Sequence, residues 1–500
     1  MTTERDYEYW FYSERFASIE RPYSPKEIFR LIQEVPSRGL RSDYMACKLY
    51  KLLRDLYKNK EASYTFGALD PVQVVSMAPY LSTVYVSGWQ CSSTASSSNE
   101  PGPDLADYPY TTVPNKVDQL FRAQELQAQI QAAKQMDCVS DFKIDYFCPI
   151  IADGDTGHGG NTAVMKLTKL FIEAGAAGIH LEDQKAGTKK CGHMGGKVLV
   201  STREHCDRLI AARLQADLLK CSLVIVARTD SESARYIDSD VDSRDQPWII
   251  GKWSSDDGYS GKSTYPDAVT EILEKRGELA SLREWKFHFN QGIDVSNGFN
   301  IADMKNRASE LNVKLSFDWN QLRTREGYYP IKHGWDYAAA RSKAFARHAD
   351  LVWAESSTPN LDDAARFSER VIGTHPNQML AYNLSPSFNW DKSGMSDLKM
   401  KEFINDLARL GYCWQFITLA GFHTNALGVT KFARSYKDEG MLAYVRDVQR
   451  EERSNNVSQL THQTWSGAEY IDVLQSLINR SNSTSIKSDG DTEKQFVSKL

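Results

Sequence analysis

The chain has 500 residues, of which 41% are hydrophobic and 25% are charged, and its formal net charge is −5. This composition is typical of a globular protein and excludes wholesale disorder. A small negative net charge gives no general reason to bind nucleic acid or an anionic membrane, so we expect neither as a partner. The length exceeds what one hydrophobic core usually supports, which indicates two or three domains or one barrel with insertions.

The two ends of the chain carry different signals. The first residues, MTTERDYEYW, have no apolar stretch of the kind found in secretory signals, and no apolar run is long enough to span a membrane. The chain stops at Ser498-Lys499-Leu500, a peroxisomal import signal when it is free, after a polar stretch at 479–495 that we expect to be flexible. We therefore predict a peroxisomal or glyoxysomal location, with an additional cytoplasmic pool as the alternative, and the peroxisomal import receptor as a partner.

The predicted elements begin with helices over residues 1–60, where Ser24-Pro25-Lys26-Glu27 combines a capping box with a proline at the first helical position. Eight short apolar runs follow, and each ends in a polar or small residue. The runs and the residues that end them are 64–68; 84–86 with Ser87, Gly88 and Trp89; 149–152 with Asp153; 177–181 with Glu182; 223–227 with Arg228; 351–354 with Glu355; 379–382 with Asn383; and 415–417 with Thr418. Most of the runs precede a helical pattern, and this alternation predicts an α/β protein with a (β/α)8 TIM-type barrel.

The chain is predicted to have four regions. We expect an N-terminal helical region at 1–60, a catalytic barrel formed by 61–250 and 323–430, and an inserted, mainly helical segment at 251–322. Residues 431–500 are predicted to form a C-terminal helical or lid region with a flexible tail. Active sites of this barrel lie at the carboxyl ends of its strands, so the residues that end the runs form the candidate site.

A glycine-rich segment, ADGDTGHGG (152–160), follows the third predicted strand. It lacks the twelfth-position glutamate of a calcium loop, the Lys-Ser/Thr of a phosphate-binding loop and the third glycine of a dinucleotide fingerprint. Asp153 and Asp155, with Glu182 on the next strand, are hard oxygen ligands, but they are too few to enclose a metal ion completely. Such a site suits Mg²⁺, because this ion keeps several of its water ligands. The alternative is that the two aspartates only cap the following helix.

The segment KKCGHMGGK (189–197) places Cys191 and His193 among three lysines and three glycines. The lysines are expected to lower the pKa of the Cys191 thiol, and the glycines to let the segment bend around a ligand. A surface lysine loop with an incidental cysteine is the alternative. The eight cysteines form no CxxC pair, which argues against disulfides and for a reducing compartment.

Two further groups predict carboxylate recognition. Arg228 offers a bidentate guanidinium beside the predicted metal. Asn383, Ser385 and Ser387 stand at alternate positions, so an extended chain would point all three the same way. A substrate with two carboxylates and Cys191 as acid/base would fit carbon–carbon cleavage to a 2-oxo acid and a carboxylate-stabilised carbanion.

These motifs together resemble the isocitrate lyase family, which shares a superfamily with 2-methylisocitrate lyase and phosphoenolpyruvate mutase. The resemblance extends over nearly the whole chain. Its segments are SGWQCSS (87–93), PNKVDQLFRAQ (114–124), ADGDTGHGG, HLEDQ (180–184), KKCGHMGGK, VARTDSES (226–233), AYNLSPSFNW (381–390), QFITLAGFHTNAL (415–427) and HQTWSGAEYID (462–472). The segment at 251–322 resembles the one that lengthens eukaryotic members.

The resemblance implies the reversible cleavage of isocitrate to glyoxylate and succinate, the entry to the glyoxylate bypass, on Mg²⁺ with Mn²⁺ as an alternative. Asp153 would bind the metal, with Asp155 and Glu182 in its water shell. Cys191 would exchange a proton with the succinate carbon, and Glu355 belongs to the same mouth. The remaining implied contacts are Ser87, Gly88, Trp89 and Arg228 to glyoxylate, and Gly192, His193, Asn383, Ser385, Ser387 and Thr418 to succinate. A homotetramer, a mobile signature loop and a C-terminal segment that closes over the site are also implied.

Three other functions stay open at this point. A 2-methylisocitrate lyase would accommodate one extra methyl group, although Trp353, Phe416 and Thr418 resemble the bulkier lining of isocitrate-type members. A non-catalytic, ligand-binding relative is disfavoured because Cys191, Asp153 and Arg228 are all retained. A metal hydrolase on the same barrel would leave the cysteine without a role.

Overall fold

A computed structural model describes residues 3–32, 41–137, 143–293, 299–479, 485–487 and 491–497. Ser498-Lys499-Leu500 and Cys138 lie outside these described residues, as do parts of the predicted flexible tail. None of the helices in the described ranges is both long and apolar enough to cross a membrane.

The strands of the described residues form one large sheet and two small ones. They are β1 (Ser63–Phe66), β2 (Val84–Val86), β3 (Ile150–Asp153), β4 (Gly178–Glu182), β5 (Val198–Leu199), β6 (Val224–Thr229), β7 (Tyr236–Ile237), β8 (Ile250–Ser255), β9 (Ser260–Thr264), β10 (Leu315–Asp318), β11 (Tyr329–Pro330), β12 (Leu351–Ala354), β13 (Met379–Asn383) and β14 (Tyr412–Ile417).

Helices surround the sheets and form both ends of the chain. They are α1 (Glu4–Phe11), α2 (Pro25–Ile32), α3 (Arg41–Asn59), α4 (Pro71–Met77), α5 (Gly88–Thr94), α6 (Thr112–Asp137), α7 (Asn161–Ala174), α8 (Thr202–Leu218), α9 (Tyr265–Arg276), α10 (Leu279–Ile293), α11 (Ile301–Glu310), α12 (Trp335–Ala346), α13 (Leu361–Ile372), α14 (Asp397–Arg409), α15 (Ala420–Glu439), α16 (Met441–Tyr444), α17 (Arg450–Ser454), α18 (His462–Trp465), α19 (Ala468–Asn479) and α20 (Lys494–Val497).

The large sheet is the predicted barrel. Its eight strands follow the order β1-β14-β13-β12-β6-β4-β3-β2, and every pairing between them is parallel. A parallel bridge between Gly67 and Tyr85 joins β1 to β2 and closes the ring, with the amide of Ala68 donating to the carbonyl of Tyr85 at 3.0 Å. All eight apolar runs are strands here, so the barrel prediction is confirmed.

Burial explains why the runs read as continuous apolar stretches. Every residue of β3, β4, β6, β12 and β13 is buried. Strands of a parallel barrel are covered by side chains on the inside and by helices on the outside, so neither face can be polar. These five strands therefore lack the alternation of a half-exposed strand, whereas β1 keeps it, with Tyr64 exposed between the buried Ser63 and Thr65.

The inserted segment has helices α9, α10 and α11, as predicted, and also a three-stranded antiparallel sheet of order β10-β8-β9 that the prediction missed. Its buried Trp253, Tyr265 and Trp285 belong to a hydrophobic cluster separate from that of the barrel. The sequence carried a signal for this sheet, because Asp257-Gly258 is a hairpin dipeptide and Gly258 has a positive φ of 82°.

The C-terminal region is helical, and helix α15 stands out because most of its surface is exposed. Leu427 and Val429, on this helix, are 57% and 59% exposed. Beyond α19, the described part of the tail makes specific contacts, although the sequence predicts a flexible stretch. The buried Glu493 accepts hydrogen bonds from the amides of Gln463 and Thr464 at 2.5 and 3.1 Å, which attaches the tail to α18.

Candidate functional site

The barrel brings most of the predicted site residues together at its mouth. Glu182 lies 3.3 Å from Arg228, and Arg228 lies 3.3 Å from Glu355. The side-chain Nδ2 of Asn383 donates to the Glu355 carboxylate at 3.1 Å, and the Nε2 of His193 lies 3.5 Å from that carboxylate. The carboxyl ends of β4, β6, β12 and β13 are neighbours in the sheet, so residues distant in sequence form one connected polar cluster.

The residues after β2 and β14 complete the same edge. Ser87 caps helix α5 by accepting a hydrogen bond from the amide of Gln90 at 3.2 Å. The Gly88 amide donates to Asp153 at 3.1 Å, and a Cβ atom at Gly88 would lie 2.9 Å from the carboxylate, so only glycine allows this approach. Trp89 packs edge-on against Phe422, and Thr418 follows directly after β14.

The carboxylates predicted to hold a metal are buried but differ in their partners. Asp153 accepts hydrogen bonds from the Gly88 amide and, at 2.9 Å, from the Asp155 amide. The Asp155 carboxylate lies 2.6 Å from the Lys189 ammonium and also accepts a hydrogen bond from the Tyr108 hydroxyl. The alternative that these aspartates cap α7 is wrong, because its N-cap is Gly160 and has no side-chain cap.

Glu182 is the carboxylate with unfilled capacity. It is 1% exposed, and neither of its oxygens has a hydrogen-bond partner. Burial, together with the nearby charges of Asp230 and Asp155, holds its pKa well above the usual value. Across the described ranges, no three Cys, His, Asp or Glu side chains form a ready ligand cluster, so the protein ligands do not suffice for a closed cage. A cation that keeps most of its waters would fit these orphaned oxygens.

Sequence reasoning missed several groups of the mouth. The Tyr85 hydroxyl and the Nε2 of His180 share a hydrogen bond at 3.0 Å. Tyr85 stands two residues before the predicted Ser87, and His180 stands two residues before the predicted Glu182. That alternation was a usable signal, because alternate residues of a barrel strand face the same side. Asp104 lies in an irregular loop, which gave no such signal, and its carboxylate pairs with Lys189 at 2.6 Å.

The predicted effect of the lysines on Cys191 is wrong in this structure. Burial raises the pKa of the Cys191 thiol to about 11, and the charge of Asp104 acts in the same direction. Lys189 is neutralised by Asp104 and Asp155, both at 2.6 Å, and Lys197 is paired with Asp230 at 2.8 Å. The charges of Lys189 and Lys197 are thus balanced by buried carboxylates, and the Lys190 ammonium donates to the carbonyl of Thr188 at 3.5 Å, so little of the lysine charge acts on the thiol.

The segment KKCGHMGGK at 189–197 (the signature segment) is fixed at both ends and exposed at its tip. The Gln184 side chain exchanges two hydrogen bonds with the Lys190 backbone, at 2.8 and 3.0 Å. At Gly192 a Cβ atom would lie 2.6 Å from the Nη2 of Arg228, so glycine is required for the close packing. Residues 193–196 are exposed, whereas the His193 ring keeps an edge-on contact with Phe388.

Two predicted recognition elements differ from expectation. The Nε and Nη2 atoms of Arg228 donate to Asp230 at 3.0 and 3.1 Å, so this edge of the guanidinium is not free for a substrate, and the Nη1 and Nη2 atoms lie 3.3 Å from Glu182 and Glu355, respectively. The prediction that Asn383, Ser385 and Ser387 share one face is wrong, because β13 ends at Asn383 and the chain then turns. Ser385 accepts from the amide of Ser387 at 3.1 Å, and Ser387 is exposed, whereas Asn383 keeps an unpaired buried oxygen in the mouth.

Comparisons with known proteins agree along the whole chain. The family described as "Isocitrate lyase family" matches residues 4–259 and 252–496. An isocitrate lyase of Oryza sativa subsp. japonica is 46% identical, with 98% of this chain and 92% of that protein aligned. An isocitrate lyase of Saccharomyces cerevisiae is 44% identical over 98% of this chain and 94% of that protein. The mitochondrial 2-methylisocitrate lyase of Hypocrea atroviridis is 40% identical, with 98% of this chain and 93% of that protein aligned.

The raised pKa of Cys191 predicts how its alkylation depends on pH. Thiolate is the reactive form, so the iodoacetamide rate at Cys191 should rise about tenfold per pH unit up to pH 10 without a plateau. The expected midpoint is near 11, compared with 9.0 for an unperturbed thiol. Mass-spectrometric quantification of Cys191, with glutathione as the reference thiol, measures this. A plateau below pH 9 would show that the lysines do stabilise the thiolate.

Proposed function

This chain belongs to the isocitrate lyase family, and from that premise we propose that it catalyses the reversible cleavage of isocitrate into glyoxylate and succinate. It is a carbon–carbon lyase. The observation that carries the proposal is the 44–46% identity to isocitrate lyases over 98% of the chain. The connected mouth of Glu182, Arg228, Glu355 and Asn383 supports it, because the family motifs meet there.

Mg²⁺ is the proposed cofactor, with Mn²⁺ as the alternative. Asp153 would hold the ion, and the unpaired oxygens of Glu182 would hold its waters. Asp155 balances the charge of Lys189 and accepts a hydrogen bond from Tyr108, and its place in the water shell of the ion stays a proposal. When bound, the ion would act as a Lewis acid on substrate oxygen atoms and stabilise negative charge that develops on them.

The side chains of the mouth suggest how the two halves of the substrate are placed. Ser87, Gly88 and Trp89 line the metal side and are the proposed contacts of the glyoxylate half. Asn383, with its unpaired buried oxygen, and His193 lie beside Glu355 and are the proposed contacts of the succinate half. The sequence-based assignment of Gly192, Arg228, Ser385, Ser387 and Thr418 to substrate stays a proposal.

The protonation state of Cys191 indicates in which direction of the reaction this group acts as an acid. With a pKa of about 11, the group is a neutral thiol at pH 7. In the cleavage direction, the isocitrate hydroxyl loses its proton to a general base and becomes the carbonyl of glyoxylate, while the electron pair of the broken carbon–carbon bond stays on the succinate carbon as a carbanion. Cys191 would donate its Sγ proton to that carbon and become a thiolate, so the thiol is the form that cleavage requires. In the condensation direction the thiolate would remove the same proton.

Cleavage of 2-methylisocitrate is the second candidate activity, supported by the 40% identity to a 2-methylisocitrate lyase. Aromatic rings fill the base of the mouth. The ring centroid of Phe416 lies 5.1 Å from that of Trp353 and 4.7 Å from that of Tyr85. One methyl group is worth only about 1–3 kcal/mol of discrimination, so we expect isocitrate to be preferred but not exclusive. Turnover of both substrates by the same preparation measures the preference.

Helix α15 supports the proposed homotetramer. It is 20 residues long, and its apolar Leu427, Val429 and Tyr436 are between 48% and 59% exposed. An exposed apolar surface on a long helix is typical of an interface between subunits. A lid role for the C-terminal region and a mobile signature loop stay predictions of the family resemblance.

Replacing Cys191 by serine tests the proton-transfer role. Serine has nearly the same shape, but its hydroxyl is a much weaker acid, so glyoxylate release from isocitrate should fall by about 10²–10⁴. Metal binding should be retained, because Asp153 and Glu182 lie on other strands. A serine variant with full activity would exclude the thiol from the proton transfer.

Replacing Asp153 by asparagine tests the metal assignment. The variant keeps the shape of the side chain but loses the charge, so Mg²⁺-dependent glyoxylate release should fall by at least about 100-fold. Asp238→Asn is the matched control, since Asp238 pairs with Lys185 and makes no contact with the cluster at the mouth. Near-normal activity of Asp153→Asn, or an equal loss in the control, would contradict the assignment.

Peroxisomal import is proposed from Ser498-Lys499-Leu500. Deleting these three residues should leave the protein in the cytosol and fully active, because the mouth is far from them in the chain and built by the barrel. Fluorescence localisation in a cell with peroxisomes measures this, and glyoxylate release by the truncated protein is the control. Unchanged import of the truncated chain would mean that another signal directs it.

A further inference from the structure

Lys197 connects the signature segment to the interior of the barrel. Its side chain is 1% exposed, and its ammonium donates to the Asp230 carboxylate at 2.8 Å. The same ammonium donates to the carbonyl of Gly192 at 2.7 Å. That carbonyl belongs to the residue directly after Cys191, so one buried lysine links the position of the cysteine to a barrel residue.

Asp230 holds Arg228 as well as Lys197. Its carboxylate accepts two hydrogen bonds from the Arg228 guanidinium, and its backbone amide donates to the buried Asp183 at 2.9 Å. Lys197 pairs with this carboxylate, and Arg228 shares it with the more distant carboxylates of Glu182 and Glu355, both at 3.3 Å. The position of the signature segment is thereby coupled to the position of the arginine in the mouth.

The packing of Gly192 strengthens this link. Its Cα lies so close to Arg228 and Glu355 that a Cβ atom would be 2.6 Å from the first and 3.0 Å from the second. On the other side of Cys191, the segment is held by Gln184 through Lys190. Cys191 lies between these two fixed points, whereas the tip at 193–196 is exposed.

We propose that Lys197 is a positioning residue, and that its two hydrogen bonds, to the Gly192 carbonyl and to the Asp230 carboxylate (together the Lys197 clasp), hold the Cys191 thiol in the mouth beside Arg228. A lysine that only balanced the Asp230 charge would not need to reach the loop carbonyl. Hydrogen bonds from charged donors are the strong ones, so a buried ammonium is suited to hold a glycine-rich segment in one position. The catalytic meaning of the clasp rests on the proposed function, but its conformational part does not.

The test is the alkylation rate of each cysteine in Lys197→Met, a variant that keeps the length of the side chain and removes its charge. Loss of the clasp should free the segment, and we expect iodoacetamide to modify Cys191 about tenfold faster, since a charged hydrogen bond is worth at least that factor in an opening equilibrium. Lys185→Met is the matched control. Lys185 pairs with Asp238 at 2.9 Å on the same connection but does not contact the mouth.

The buried Cys91, Cys148 and Cys221 separate local release from general destabilisation. Faster alkylation of Cys191 alone, in Lys197→Met and not in Lys185→Met, supports the clasp. An unchanged Cys191 rate overturns it, and so does an equal increase at the buried cysteines or in the control variant.

Steady-state kinetics on isocitrate give the catalytic readout. A positioning role should lower kcat by a larger factor than it raises KM, because Lys197 is not itself a proposed substrate contact and acts on Gly192 and Arg228 only through their position. A loss confined to KM would overturn the positioning role. If the wild-type protein released no glyoxylate, the proposed function would fail, but the alkylation comparison, which uses no substrate, would still decide on the clasp.

Discussion

The balance of buried charge at the mouth of the barrel is the constraint on which the site depends. Ionised groups that are taken out of water are costly unless they are paired. Lys189, Lys197 and Arg228 are therefore each shared between carboxylates or with backbone carbonyls. The two lysines that look like activators of a thiol are, in the folded protein, the counter-charges of aspartates. Glu182 has the loosest pairing, since its oxygens lie 3.3 Å from Arg228 and 3.9 Å from Lys189 without a hydrogen bond, and this gives the mouth its capacity for a cation.

Most of the fold could be predicted from the sequence, because a parallel barrel imposes a simple pattern. Strands that are buried on both faces must be apolar throughout, and each must end where the mouth meets solvent. The run 351–354 coincides with β12, and the run 84–86 with β2. The residues that end the runs are the residues that meet in the mouth, since the closing of the ring brings the strand ends together.

Prediction was weaker where the outcome depended on a partner distant in sequence. Asp104 comes from an irregular loop, and only the folded chain shows that it neutralises Lys189 and acts on the Cys191 thiol. Asp230 accepts two hydrogen bonds from the guanidinium of Arg228, which stands two residues earlier in the chain. This spacing permits the contact but does not require it. The prediction that Ser385 and Ser387 share a face with Asn383 requires the strand to continue through both residues, but β13 ends at Asn383 and the chain then turns. Local pattern determines elements, whereas pKa values and free hydrogen-bonding capacity are set by tertiary neighbours.

The inserted segment affects how the barrel can assemble. It separates β6, which ends at Thr229, from β12, which begins at Leu351, and these two strands are direct neighbours in the sheet. Pairing them therefore requires closure of a connection longer than most loops, and the entropy lost on closure grows with the length of flexible chain. A segment with its own hydrophobic cluster can fold first and shorten that flexible length. The insertion would then act during folding as an internal spacer that aligns the two halves of the ring, and weakening its core would slow barrel closure before it changed the finished site.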